Sequence, residues 1–293
     1  MNRKFLLLGF LFSAQLTFAQ TDKDSSHSNT DTLKVGGFLI IRGQSNTPPQ
    51  EEIKKEIDRW GNSIITIRKS PKKNKNISTN WFILDLGFAN YRDMTNYPLA
   101  RAGSYLTFTR PGDPGVTETS TTLNTGKSSN VNFWFFMQRM NISKHVLNLK
   151  YGLGLEMYNF RYDSRISFRP SPQPLAFIDS VGFTKNKLFA QYVTIPLMIN
   201  INTRPSNNRG LVLSAGVSAG YLIASRNKQT SGERGKQKYK GNHAMEPWRL
   251  AAIGEIGMGP VRLYGSYSLN HLQKDYTRME QYPYSIGIRL SNW

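Results

Sequence analysis

Residues 145–160, HVLNLKYGLGLEMYNF, narrow the choice of fold more than any other segment. Leu147, Leu149, Tyr151, Leu153, Leu155 and Met157 occupy one parity. Asn148, Lys150, Gly152, Gly154, Glu156 and Tyr158 occupy the other. Side chains on a strand point alternately to its two faces, so this reads as a strand with one oily and one polar face. A lysine, a glutamate and two glycines on the polar face suit a narrow interior that is wet or salt-bridged. About ten residues of such alternation, tilted, cross a bilayer.

After the first 20 residues no apolar run is long enough for a membrane helix. In lipid only helices and closed barrels satisfy every backbone polar group. The expected fold is therefore all-β, a closed antiparallel transmembrane β-barrel of about eight strands over 81–293. The strands are expected at 81–91, 131–140, 145–160, 189–201, 211–225, 248–258, 261–272 and from about 282 to the end. In the first, Phe82, Leu84, Leu86 and Phe88 share a face against Asp85, Gly87 and Ala89. In the second, both faces are aromatic and the parity stays open. In the fourth, Phe189, Val193, Ile195, Leu197, Ile199 and Ile201 face lipid, and Pro196 calls for a bulge or an unpaired position near a rim. The connections run long, short, long, short, long, short, moderate. That rhythm is the one that outer-membrane barrels show, with short periplasmic turns and longer outside loops, and it puts both termini in the periplasm. The 14 Tyr and 16 Phe suit aromatic girdles. Trp81, Tyr91, Trp134, Tyr151, Trp248, Tyr284 and Trp293 are the expected girdle residues.

Residues 1–19 read as a secretory signal peptide: Arg3 and Lys4, then an apolar core over 5–12, then small residues at Thr17 and Ala19. Residues 20–80 are expected to form a short periplasmic extension and basic linker. They hold two β-like runs (33–42 and 63–68), a helical face of Ile53, Ile57 and Trp60 over 50–60, and a polar stretch from 70 to 80. An alternative adds strands from 36–68 to the barrel and makes ten. The chain has no cysteine, so disulfides and thiolate metal sites are excluded. Its net charge of +19 would ordinarily suggest nucleic acid, but an exported chain does not meet it.

Four stretches carry a family resemblance: Tyr192-Val193-Thr194-Ile195-Pro196-Leu197, Asp85-Leu86-Gly87, Tyr151-Gly152-Leu153-Gly154 and Ser285-Ile286-Gly287-Ile288-Arg289-Leu290. In these the chain resembles the outer-membrane β-barrel family of Bacteroidetes that includes the PorT-like proteins. The resemblance covers 81–293 and implies an eight-stranded, OmpX-like barrel. PorT-like members are linked to secretion, and the resemblance does not by itself carry that role over. The last strand also resembles the assembly signal read by the barrel-insertion machinery, with Trp293 one position beyond the usual aromatic.

The inward charges are Asp85, Glu156 and Glu255 against Lys150, Arg249, Arg262 and Arg289. An eight-stranded barrel has room inside for side chains and little more, and buried charges need partners. An ion-pair network closing the lumen is expected, with a gated polar pore as its rival. Gly216-Val217-Ser218-Ala219-Gly220 matches the nucleophile elbow, but it lies inside an alternating strand with no helix after it. His27, His145, His243 and His271 show no metal-ligand spacing. His271, near Ser268, is the one faint candidate for lipid-directed catalysis. Residues 226–240 hold Arg226, Lys228, Arg234, Lys236, Lys238 and Lys240 against Glu233. They read either as a solvated loop or as contacts to lipopolysaccharide phosphates. No cofactor, metal or catalytic residue is indicated. The expected function is a non-enzymatic outer-membrane barrel of a Gram-negative bacterium, structural, adhesive or a subunit of an envelope complex. A narrow solute channel and a lipid-modifying enzyme are the alternatives.

Overall fold

The computed structural model describes residues 30–35, 38–43, 68–69, 75–108, 112, 114–170, 173–205 and 210–291. The leader, the helical face over 50–60, most of the run at 63–68, and Trp293 lie outside them.

The chain divides into two compact units, Met1–Lys73 and Asn74–Trp293. In the first, β1 (Thr30–Val35), β2 (Phe38–Gly43) and β3 (Arg68–Lys69) make an antiparallel sheet in that order. The run 33–42 is thus not one strand. Val35 pairs with Phe38, so it makes two antiparallel strands. The sequence between them is Gly36-Gly37, a pair that two-residue hairpins favour.

The second unit holds β4 (Ile77–Asp93), β5 (Ser129–Ser143), β6 (Leu147–Tyr162), β7 (Ile166–Arg169), β8 (Leu175–Ile178), β9 (Lys185–Asn202), β10 (Leu211–Ser231), β11 (Gly235–Lys240), β12 (Trp248–Met258), β13 (Val261–Ser268) and β14 (Gln281–Leu290). Short helices α1 (Tyr97–Arg101) and α2 (Glu118–Thr121) lie between β4 and β5. Strands β4, β5, β6, β9, β10, β12, β13 and β14 pair antiparallel in sequence, and β14 returns to β4. The ring closes at eight, and among the described residues β1–β3 form a separate sheet. The connections at one end are short, at 144–146, 203–210 and 259–260. Those at the other are long, at 94–128, 163–184, 232–247 and 269–280.

The pleat sorts the residues. Along β6 burial alternates without a break over 16 residues, even numbers inside. Outside stand apolar side chains, with Ile195 57 % and Ile286 61 % exposed. A continuous apolar belt of this kind needs lipid to cover it. Gly154 lies inside, where a Cβ would come within 2.6 Å of the Trp134 ring. That glycine is what makes room for an indole in the lumen.

Three local devices depart from simple alternation. First, Trp81 pairs with Phe136 and Ile83 with Trp134, so Phe82 and Phe135 are passed over. Phe82 has a φ of 56°, and the parity of both strands flips there. A bulky residue at positive φ is a strained position. The flip keeps Trp81, Phe82, Phe133 and Phe135 outside while Trp134 and Met137 turn in, which resolves the ambiguous parity of β5. Second, Pro196 causes no bulge. The β6–β9 ladder loses the pairs opposite 195–196 and resumes in the same register, Tyr151 with Leu197 and Gly154 with Thr194. Proline cannot donate to the ladder, and the strand keeps its course without it. Third, a bulge at Ile223 switches the upper part of β10, so that odd residues face in beyond it.

Two girdle expectations are corrected. Trp134 and Tyr91 are buried inside the ring, whereas Trp81, Trp248 and Tyr284 do face out. Strand 261–272 ends at Ser268. The segment 226–240 is not a loop, because β10 runs on to Ser231 and pairs with β11 as a hairpin.

Candidate functional site

Each of the seven expected lumenal charges sits on the inward parity of its own strand and is buried. Glu255 is the hub. Its Oε1 accepts from Lys150 Nζ at 2.5 Å, Arg262 Nη1 at 2.9 Å and Ser214 Oγ at 2.9 Å, and its Oε2 accepts from Arg289 Nη1 at 2.6 Å. Arg289 then forks onto Asp85, Nε to Oδ1 and Nη2 to Oδ2, both at 2.7 Å. Asp85 also accepts from Trp134 Nε1 at 2.7 Å. Arg262 and Arg289 stand directly opposite across β13 and β14, a repulsive pairing that the Glu255 carboxylate bridges. Bidentate, charge-assisted bonds of this sort are the strong class.

A second cluster lies nearer the long-loop end. Glu156 Oε2 accepts from Arg249 Nη1 at 2.7 Å and from Thr194 Oγ1 at 3.0 Å. Arg249 donates its remaining nitrogens to Ser268 Oγ and Ser266 Oγ, both at 2.9 Å. Between the clusters, among Trp134, Glu156, Tyr264 and Arg289, the gap is about the size of one water molecule. Ser268 is thus engaged inside the lumen. His271 instead bonds Tyr282 Oη at 2.8 Å and Asp275 at 3.4 Å. Ser218 of the G-x-S-x-G segment is buried in mid-strand.

The mouth is closed differently. The long connections at 94–128 and 163–184 read from their proline and serine content as surface loops, but they fold inward. Tyr97, Ala100, Tyr105, Leu106, Val116 and Leu123 from the first, and Ile166, Phe168, Ala176 and Ile178 from the second, join Tyr158, Phe160 and Tyr192 in one apolar cluster. Tyr158 stacks on Phe160 at 5.7 Å, and Tyr162 packs against Phe168 at 5.4 Å. Tyr97 Oη donates to Asp93 Oδ2 at 2.7 Å. Burial holds the Tyr105 phenol well above its usual range. In the next connection His243 is 1 % exposed, with Nδ1 2.9 Å from Ser225 Oγ. Burial pushes its pKa down to about 4. These cap residues escaped sequence reading because isolated apolar residues in a loop have no period. Their density, ten in two connections, was the available signal.

The basic segment is an ordered hairpin. Arg226 pairs with Lys240, Lys228 with Lys238 and Thr230 with Lys236. Arg234 departs from the others, donating Nη1 to Asp179 Oδ2 at 2.9 Å.

Residues 99–274 match the model of a family described as outer membrane protein beta-barrel domain. No curated protein matches the chain.

Proposed function

The chain belongs to this outer-membrane β-barrel domain family, and from that premise we propose that it is a non-enzymatic barrel working through its outer surface. In this reading it is a structural or adhesive element, or a subunit of an envelope complex, in the outer membrane of a Gram-negative bacterium. Its long-loop end faces outward and both termini lie in the periplasm. The barrel-insertion machinery is its partner during assembly. The resemblance to PorT-like barrels of Bacteroidetes makes a secretion complex the first kind of assembly to look for. The basic hairpin contacts lipopolysaccharide.

One observation carries the reading: the interior is closed twice, by the Glu255-centred ion pairs and by the aromatic mouth. A pore would have to open both. Opening the lower level alone would unpair carboxylates and cations at less than a tenth of their free exposure, each at a cost of several kcal/mol.

The test is single-channel recording of the purified chain in planar bilayers, with and without the substitution Glu156→Gln. The expected result is no steady conductance from the wild type. A reproducible wild-type current that changes with Glu156→Gln would replace this reading with a narrow channel. Lipid A that changes mass only in cells carrying the gene would replace it with a lipid-modifying enzyme.

A further inference from the structure

Above the apolar belt, β6, β9, β10 and β11 continue as a four-stranded extension. Its register sets one row of cations across all four strands. Arg161 of β6 is opposite Lys187 of β9, Lys187 is opposite Lys228 of β10, and Lys228 is opposite Lys238 of β11. The rows on either side add Lys185 with Lys236, and Arg226 with Lys240. Residues directly opposite in antiparallel strands share a face, so these side chains stand together. The bulge at Ile223 brings this about. By shifting parity it turns Arg226 and Lys228 outward, in line with the odd residues of β6 and β9. Sequence reading found the hairpin half of this surface. It missed Arg161, Lys185 and Lys187, which lie 40 and more positions earlier.

The reverse face of the same hairpin is neutral and tied down. Gln229 bonds Ser167 at 2.8 Å and Asn227 bonds Asn186 at 3.2 Å. The Arg169 guanidinium stacks 3.7 Å over the Tyr239 ring, and Asp179 takes up Arg169 and Arg234. The acid that the hairpin fold brings close is therefore used on the inner side. Like charges opposite one another in a sheet destabilise it. The charges of Lys236 and Lys185 foremost, in the adjoining row, hold the Lys228 ammonium below its ordinary pKa, beyond the spanning part of β10. A face that holds these cations in register has the electrostatics that attract an anion.

Height above the membrane narrows the class of anion. The exposed Tyr221 and Trp248 pack edge-to-face at 5.0 Å and mark the aromatic girdle. The cation rows begin five residues further along β10, which at the usual rise and tilt is about 10–20 Å above the girdle. A phospholipid headgroup layer is only about 5–7 Å deep. We propose that this face binds the phosphates of a phosphorylated-saccharide headgroup, the part of an outer-leaflet glycolipid that stands off the membrane, with Lys187 and Lys228 at its centre. This rests on the reading that the basic end faces lipopolysaccharide, and adds to it the four-strand site and the phosphate specificity.

The test uses the full chain in detergent. Its probes are rough-type lipopolysaccharide with a phosphorylated core, the same material after chemical dephosphorylation, phosphatidylglycerol nanodiscs and free pyrophosphate. Lys185→Gln/Lys187→Gln on β9 and Lys236→Gln/Lys238→Gln on β11 are compared with a control elsewhere, Lys127→Gln/Lys274→Gln. Folding is verified by heat-modifiable gel mobility. Both site variants are expected to lose at least tenfold in affinity for the phosphorylated probe, the control less than twofold, and dephosphorylation is expected to abolish the difference. If only the β11 variant loses binding, the four-strand site is wrong and lipopolysaccharide contact by the hairpin survives. If the wild type binds none of the lipid probes, both fail. Equal binding of phosphatidylglycerol, or of pyrophosphate, would overturn the saccharide-headgroup assignment.

Discussion

The lumen and the mouth of this barrel are both packed with side chains, by opposite means. In the lumen each contact is made by one side chain from a different strand: Lys150 from β6, Glu255 from β12, Arg262 from β13, Arg289 from β14 and Asp85 from β4. At the mouth the contacts are apolar, and the connections supply them. The difference follows from solvent. The outer wall of the lumen is set by lipid, which allows only strands there and leaves the inward parity for whatever polar groups can pair. The mouth stands in water, where burying apolar side chains drives loops together.

The largest test of the contrast is Glu255→Ala. It removes the carboxylate that Lys150, Arg262 and Arg289 share, and is expected to cost about 3–5 kcal/mol or to abolish refolding, read as heat-modifiable mobility in urea. A variant within 1 kcal/mol of wild type would show that the hub is dispensable. Phe168→Ala removes a buried ring from the mouth and is expected to cost about 3 kcal/mol. The loss should be local: the connections at 94–128 and 163–184 become protease-sensitive while the barrel keeps its mobility. Simultaneous loss of both would merge the two seals into one cooperative unit. Leu153→Arg, on the lipid face of β6, is expected to cost about 2–4 kcal/mol, and normal folding would reverse the assigned faces.

The smallest effect is one of pH. His243 stays neutral in the folded mouth down to about pH 4, whereas an unfolded histidine titrates near 6.5. Between those values the unfolded state binds the extra proton, so stability falls as pH falls and is complete above about 6.5. From pH 6.5 to 5 the mouth is expected to lose about 2 kcal/mol, seen as faster hydrogen exchange in the connections with the lumen strands unchanged. His243→Gln should flatten that profile.

The lumen was legible in the sequence and the mouth was not. A strand such as β6 announces its faces residue by residue, and Lys150 and Glu156 could be placed inside from parity alone. What parity could not show is where the backbone shifts it, at Phe82 and Ile223, since a bulge leaves no reliable mark in side-chain pattern. Tyr97, Tyr105, Leu106 and Phe168 carry no period, and whether a loop apolar residue meets a partner depends on where another loop ends. The pairing of Lys187 with Lys228 depends on the register of the β9–β10 hairpin, which the bulge at Ile223 shifts.

The bond between Arg289 and Asp85 joins residues 204 positions apart, on the last and first strands of the ring. Until β14 arrives, Asp85 and one oxygen of Glu255 face an interior without their cation. An unclosed barrel therefore carries at Asp85 a carboxylate without its cation, and the final strand supplies that cation as it docks. Completion of the ring is thereby an electrostatic event as well as a hydrogen-bonding one. A chain that stalls before β14 can hold the pairs of Glu255 with Lys150 and Arg262 and of Glu156 with Arg249, but leaves Asp85 without a cation.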